Sequence, residues 1–157
     1  MTGSAKVALV DYGSGNLRSV AKALERSGLQ VVRADSPAEL DGADGIVLPG
    51  AGAFRDALDH LRSQGLDQAV LNAVSKGRPY LGLCLGLQVL FEEGDEHGTL
   101  PGLGYFKGRV ERFPESGSGS ERLLVPHIGW NRVRFQGDHP MVKELPESDE
   151  FYFVHSY

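Results

Sequence analysis

The chain holds one cysteine, Cys84, set between two glycines in the run GLCLG, residues 82 to 86. The run follows PYLGLC, an apolar stretch with strand character, and leads into LGLQVLFEEG, residues 85 to 94, which reads as a helix. A Gly-x-Cys-x-Gly pattern between a strand and a helix is the thiol counterpart of a serine nucleophile elbow. The turn is so tight that side chains two residues before and after the nucleophile would collide, so glycine is wanted at both places. Its result is the exposure of one reactive atom. At the first turn of a helix, backbone N–H groups and the positive end of the dipole favour an ionised sulfur. The N–H of Leu85 would face a developing oxyanion. The alternative is a small core residue, since cysteine is among the most buried residue types. The paired glycines decide against it: each costs about 1 kcal/mol relative to alanine in regular structure, and a core thiol requires neither.

A second glycine cluster supports this choice. LPGAGAF, residues 48 to 54, ends an expected strand, and Gly50 and Gly52 can turn backbone N–H groups toward a ligand. The loop Gly50, Ala51, Gly52 could supply the other half of an oxyanion hole, a plain strand-to-helix turn being the alternative. DYGSGN, residues 11 to 16, is glycine-rich too, but Arg18 stands where a dinucleotide-binding loop needs glycine, so that pattern fails.

The elements that must hold these residues alternate. KVALVDYG reads as a buried strand, and from Asn16, a candidate N-cap, Leu17, Val20, Ala21 and Leu24 recur at helical spacing with Gly28 as a stop. QVVRAD and GIVLPG read as strands, FRDALDHLRSQG and DQAVLNAVSKG as helices. Such order predicts a mostly parallel sheet with helices on both faces. After about residue 100, YFKGRVERF, LLVPHIGWNRVRF and EFYFVHSY are strand-like and joined by loops, which predicts an antiparallel extension. PESGSGSE, residues 114 to 121, reads as a flexible hairpin loop.

A chain of 157 residues fits one domain, residues 1–157, and a net charge of −5 with scattered basic residues leaves no footprint for nucleic acid or a membrane surface. A lone cysteine forms no internal disulfide, and the apolar run Val7 to Val10 is too short for a signal or a span, so a cytoplasmic protein is expected.

GLCLGLQ, with LPGAGAF upstream and VPHIGWN and FYFVHSY downstream, resembles class I glutamine amidotransferases. Among them it is most similar to the glutaminase subunits of imidazole glycerol phosphate synthases in histidine biosynthesis. The resemblance runs from VALVDYGSGNLRSV to the last residue. It implies a three-layer, flavodoxin-like α/β fold, no cofactor and no metal. It also implies a heterodimer with a cyclase subunit that receives ammonia taken from L-glutamine. Cys84 matches the nucleophile, and Gly50, Ala51, Gly52 and Leu85 the oxyanion hole. Gln88 and Glu96 match glutamine-binding residues, while Ser156 and Tyr157 match backbone groups that hold the α-carboxylate. Asn16, Trp130 and Tyr152 match the face turned to the cyclase. From the residues alone, Gln88 could equally be an ordinary helix surface residue and Glu96 part of a solvated acidic run. Trp130 and Tyr152 could be core aromatics.

A thiol nucleophile needs a base and a carboxylate to orient it. The family takes both from a late PxHPE-like segment, for which this chain offers no match before Tyr157, so its C-terminal part is expected to be missing and the chain alone inactive. His60, His97, His127, His139 and His155 are the remaining histidines; His139-Pro140 is followed by Met141 rather than Glu, and His155 reads as structural. The rival readings are a non-catalytic interaction module of the same fold, another class I amidotransferase subunit, and a cysteine hydrolase or chaperone-like relative.

Overall fold

The computed structural model describes residues 4–114, 124–137 and 139–157. The expected hairpin loop at 114 to 121 therefore lies outside the described residues apart from Pro114. The chain falls into two compact units, Met1–Glu111 and Arg112–Tyr157.

In the first unit β1 (Lys6–Val10), β2 (Gln30–Ala34), β3 (Gly45–Gly50) and β4 (Tyr80–Cys84) form a parallel sheet in the order β2-β1-β3-β4. The strands are short β-branched and leucine runs because both faces are covered. Val7, Leu9 and Val47 point to one face, where Leu17, Val20, Ala21 and Leu24 of α1 (Leu17–Arg26) pack on them. Ala8, Val10, Ile46 and Leu48 point to the other. There they meet Leu40 of α2 (Pro37–Asp41), Leu58 and Leu61 of α3 (Phe54–Ser63), and Leu66 and Val70 of α4 (Leu66–Ser75). The result is the expected three-layer α/β arrangement. Leu61 is 0% exposed in this layer, and Leu61→Ala should cost about 2–5 kcal/mol, read as a lowered midpoint in urea with an unchanged slope.

The capping of α1 follows its sequence: the Asn16 side chain accepts the Ser19 N–H. The helix α2 went unrecognised although SPAE carries the sequence signature of a capping box with proline at the first helical position; the Ser36 side chain itself makes no cap bond. Glu39 reaches back to the Asp35 N–H at 2.8 Å and to the Ser36 hydroxyl at 3.2 Å.

The expected helix over residues 85 to 94 is corrected. α5 covers only Leu85–Gln88, and Phe91–Gly94 form strand β5. Tertiary pairing overrides helical spacing here, because the backbone of this segment is taken by later chain. Leu103 N–H donates to Val89 O at 2.8 Å and Gly102 N–H to Glu92 O at 2.8 Å. β5 pairs antiparallel with the short β6 (Leu100–Pro101) and parallel with β7 (Phe106–Val110), so this second sheet is mixed. In the second unit β8 (His127–Arg134) and β9 (Ser148–His155) form the expected antiparallel ladder. Among the described residues no helix is long and apolar enough to cross a membrane.

Candidate active site

β4 ends on Cys84 and α5 begins on the next residue, so the chain reverses without a loop residue. The reversal holds Cys84 at φ 52° and ψ −113°. Such a conformation costs a non-glycine residue roughly 1–3 kcal/mol and persists only where its surroundings over-determine it. They do. A Cβ on Gly82 would lie 2.6 Å from Leu87 N and 2.7 Å from Gly86 C, and one on Gly86 would lie 1.8 Å from Leu48 O. The bare glycines let α5 fold back onto the sheet, and Cys84 is left exposed at the crest. Its exposure excludes the core reading. With α5 four residues long, little macrodipole accumulates at the turn.

In the parallel register of β3 and β4, Gly50 is the partner of Cys84. Neighbouring strands lie about 4.8 Å apart, so the loop Gly50, Ala51, Gly52 starts at the shoulder of Cys84. Gly52 has φ 101°, a left-handed conformation that glycine takes without strain. The loop after β1 braces this turn: the Ser14 hydroxyl donates to Ala51 O at 2.9 Å. Tyr12, 2% exposed, lies beside the same turn, its hydroxyl 2.9 Å from the position a Cβ on Gly50 would take. Burial raises its phenol above the ordinary value, and the Cys84 charge adds to that.

Glu96 braces the far end of the same loop, its Oε2 accepting the Phe54 N–H at 2.6 Å. It is half-buried and does not belong to a merely solvated acidic run. Its neighbours are also engaged: Glu92 accepts the Gly108 N–H at 2.9 Å, while Glu93, Asp95 and Glu111 stand 3.9, 3.5 and 3.3 Å from Arg109. Gln88 closes α5, one turn beyond Cys84, and is half-buried.

Ser156 and Tyr157 follow β9 in the second unit. Ser156 O accepts the Phe113 N–H at 2.8 Å, and the His155 ring meets Tyr157 O at 2.9 Å. Trp130 and Tyr152 are directly opposite in the β8–β9 ladder, with ring centroids 5.5 Å apart. They are 66% and 56% exposed, so the core reading fails for both. Ile128 and Val154, the next pair on that face, are exposed as well. His139 Nδ1 accepts the Met141 N–H at 3.2 Å, a local turn contact.

Two tyrosines that bear on the site were missed in the sequence. Tyr12 stands two residues beyond β1, and Tyr80 shares a strand face with Gly82 and Cys84 by the two-residue period. That period was the available signal.

Residues 11–115 match the CobB/CobQ-like glutamine amidotransferase domain. The imidazole glycerol phosphate synthase subunit HisH of Symbiobacterium thermophilum is 50% identical over 153 residues, covering 98% of this chain and 69% of that protein. The HisH of Bacillus subtilis is 47% identical over 151 residues, covering 96% and 71%. Among solved structures, a glutamine amidotransferase superposes with a TM-score of 0.68 at 21% identity over 94% of this chain and 70% of that one. Another from Thermotoga maritima gives 0.59 at 15% identity over 97% and 60%.

Proposed function

The chain belongs to the glutamine amidotransferases, among the HisH subunits of imidazole glycerol phosphate synthase, and from that premise we infer that it is a glutaminase that feeds ammonia to a cyclase subunit in the cytoplasm. The observation that carries the chemistry is the register that sets Gly50 beside Cys84 at a strained strand-to-helix turn. The intact elbow gives the rival non-catalytic module no support.

The Cys84 sulfur attacks the side-chain amide carbon of glutamine, and the carbonyl π pair moves to oxygen. The Leu85 N–H and the Gly50, Ala51, Gly52 loop stabilise that oxyanion. Collapse expels the amide nitrogen, which takes a proton and leaves as ammonia, and a γ-glutamyl thioester remains. Water then cleaves the thioester to glutamate and returns the thiol. We assign the base to none of the five histidines. Gln88 and Glu96 hold the amino-acid part of glutamine, and the backbone at Ser156 and Tyr157 holds its α-carboxylate. One amidotransferase domain spanning 1–157 is part of this reading.

Asn16, Trp130 and Tyr152 contact the cyclase in a heterodimer. Docking that reshapes the Gly50 to Gly52 loop makes glutamine hydrolysis depend on the partner, since a ligand shifts a loop only by its preference for one state. The test measures ammonia release by the complete subunit alone, with the cyclase, and with the cyclase and its nucleotide substrate, then repeats the series with Trp130→Ala. Release should rise at least about tenfold on complex formation, and Trp130→Ala should remove most of that rise by weakening a central aromatic contact. Equal rates throughout would sink the coupling, and no hydrolysis of glutamine under any condition would sink the glutaminase assignment.

A further inference from the structure

α5 contains four residues, and its carbonyls are not all met by the usual i+4 partners. Val89 N–H reaches Leu85 O at 3.0 Å, but Leu90 N–H turns to Leu87 O at 3.2 Å. Gly86 O is thereby bypassed, although Gly86 is buried, and a buried carbonyl without a partner costs about 1–3 kcal/mol. The Tyr80 hydroxyl takes its place, donating to Gly86 O at 2.6 Å.

The strand makes this contact available. Tyr80, Gly82 and Cys84 alternate onto one face of β4. The bulky residue, the empty one and the reactive one thus follow one another along that face. Gly82 leaves room for the Gly86–Leu87 peptide to settle on the strand, and Tyr80 reaches that peptide from the strand's first position. The same peptide carries the Leu87 N–H, the third of the turn that Cys84 opens. A hydrogen bond donated to its carbonyl polarises the N–H on its other side. It also fixes the angle of the turn behind the nucleophile. Burial, with the charge of Tyr12 adding to it, raises the phenol far above its ordinary value. Tyr80 therefore remains a hydrogen donor throughout the range in which an enzyme works.

We propose that Tyr80 is a positioning residue for the Cys84 nucleophile: its hydroxyl holds Gly86 O and so orients the first turn whose N–H groups face the reacting sulfur and the oxyanion. Tyr80 touches neither substrate nor sulfur in this role. The proposal rests on the glutaminase reading for its kinetic arm only.

Tyr80→Phe removes one oxygen and keeps the ring. In the complete subunit bound to the cyclase, kcat for glutamine hydrolysis should fall about tenfold, the scale of one lost buried hydrogen bond, with KM within about twofold. A second arm follows alkylation of Cys84 by iodoacetamide at fixed pH in the folded subunit, which needs no glutaminase activity. Its rate should fall by at least about threefold. Val70→Ala, a core change in α4 remote from the turn, supplies the control: it should lower Tm at least as far as Tyr80→Phe while leaving kcat and alkylation within twofold. If Tyr80→Phe leaves both rates unchanged, or Val70→Ala lowers them equally, Tyr80 serves stability alone and the proposal is overturned. If the parent subunit hydrolyses no glutamine, the functional reading fails while the alkylation arm still decides the role of Tyr80.

Discussion

Cys84→Ala in the complete subunit, assayed with its cyclase, is expected to lower glutamine hydrolysis by at least about a thousandfold, the scale seen when a nucleophile that acts as part of a unit is removed. Cys84→Ser should fall nearly as far, because a serine hydroxyl needs a stronger base than one arranged for a thiol. Stability should barely change in either variant. Cys84 is exposed, so no core contact is lost, and the strained backbone is imposed by the glycines and the sheet rather than by the thiol. The measurement is ammonia release at saturating glutamine, with thermal unfolding alongside. Thioester trapping with labelled glutamine should also disappear in both variants. Retention of more than a tenth of the parent rate by Cys84→Ala would remove Cys84 from the role of nucleophile.

Gly86→Ala is expected to be the most damaging single-methyl change in the first unit. The added carbon would fall 1.8 Å from Leu48 O and 2.8 Å from Leu48 C. Both are backbone atoms of a central strand, so no rotamer change relieves the clash. Overpacking in a core costs about 1–3 kcal/mol where side chains can yield; here the cost should reach roughly 3 kcal/mol or more, lowering Tm by about 10 °C. The useful contrast is Gly77→Ala. That residue has φ 79° and open space around its Cβ position, so only left-handed strain of about 1–2 kcal/mol is added. A Tm loss for Gly86→Ala no larger than for Gly77→Ala would mean that α5 does not lie against β3 as described.

The four parallel strands and their long helices were legible because each carries a run or a stripe whose period matches its structure. Residues 7–10 and Gly45–Gly50 are apolar on both faces, and Leu17, Val20, Ala21 and Leu24 mark one side of a helix. Residues 85 to 94 were misread for a physical reason. LGLQVLFEEG satisfies a helical pattern locally, yet its second half is claimed by Phe106–Val110 and Leu100–Pro101, partners that local spacing does not reveal. The elbow was legible through Gly82 and Gly86 because a steric requirement leaves a mark on residue type. The bond from Tyr80 to Gly86 O leaves only the two-residue period that puts Tyr80 on the face of Cys84, and tyrosine four residues before a cysteine is unremarkable until the turn folds back over it. Trp130 and Tyr152 pose the reverse case, since aromatic residues in a strand read alike whether they face a core or solvent.

The four strands that seat Cys84 also set an order in time. Every backbone segment that shapes the elbow, from Leu48 and Gly50 through Tyr80 to Gly86, precedes the β8–β9 ladder in the chain. During synthesis, which proceeds from the N-terminus with domains folding as they emerge, the nucleophile acquires its shape on the nascent chain. The ribosome must still add several dozen residues before the exposed Trp130 and Tyr152 exist. The elbow's shape is thus written in the chain before the exposed Trp130–Tyr152 pair exists.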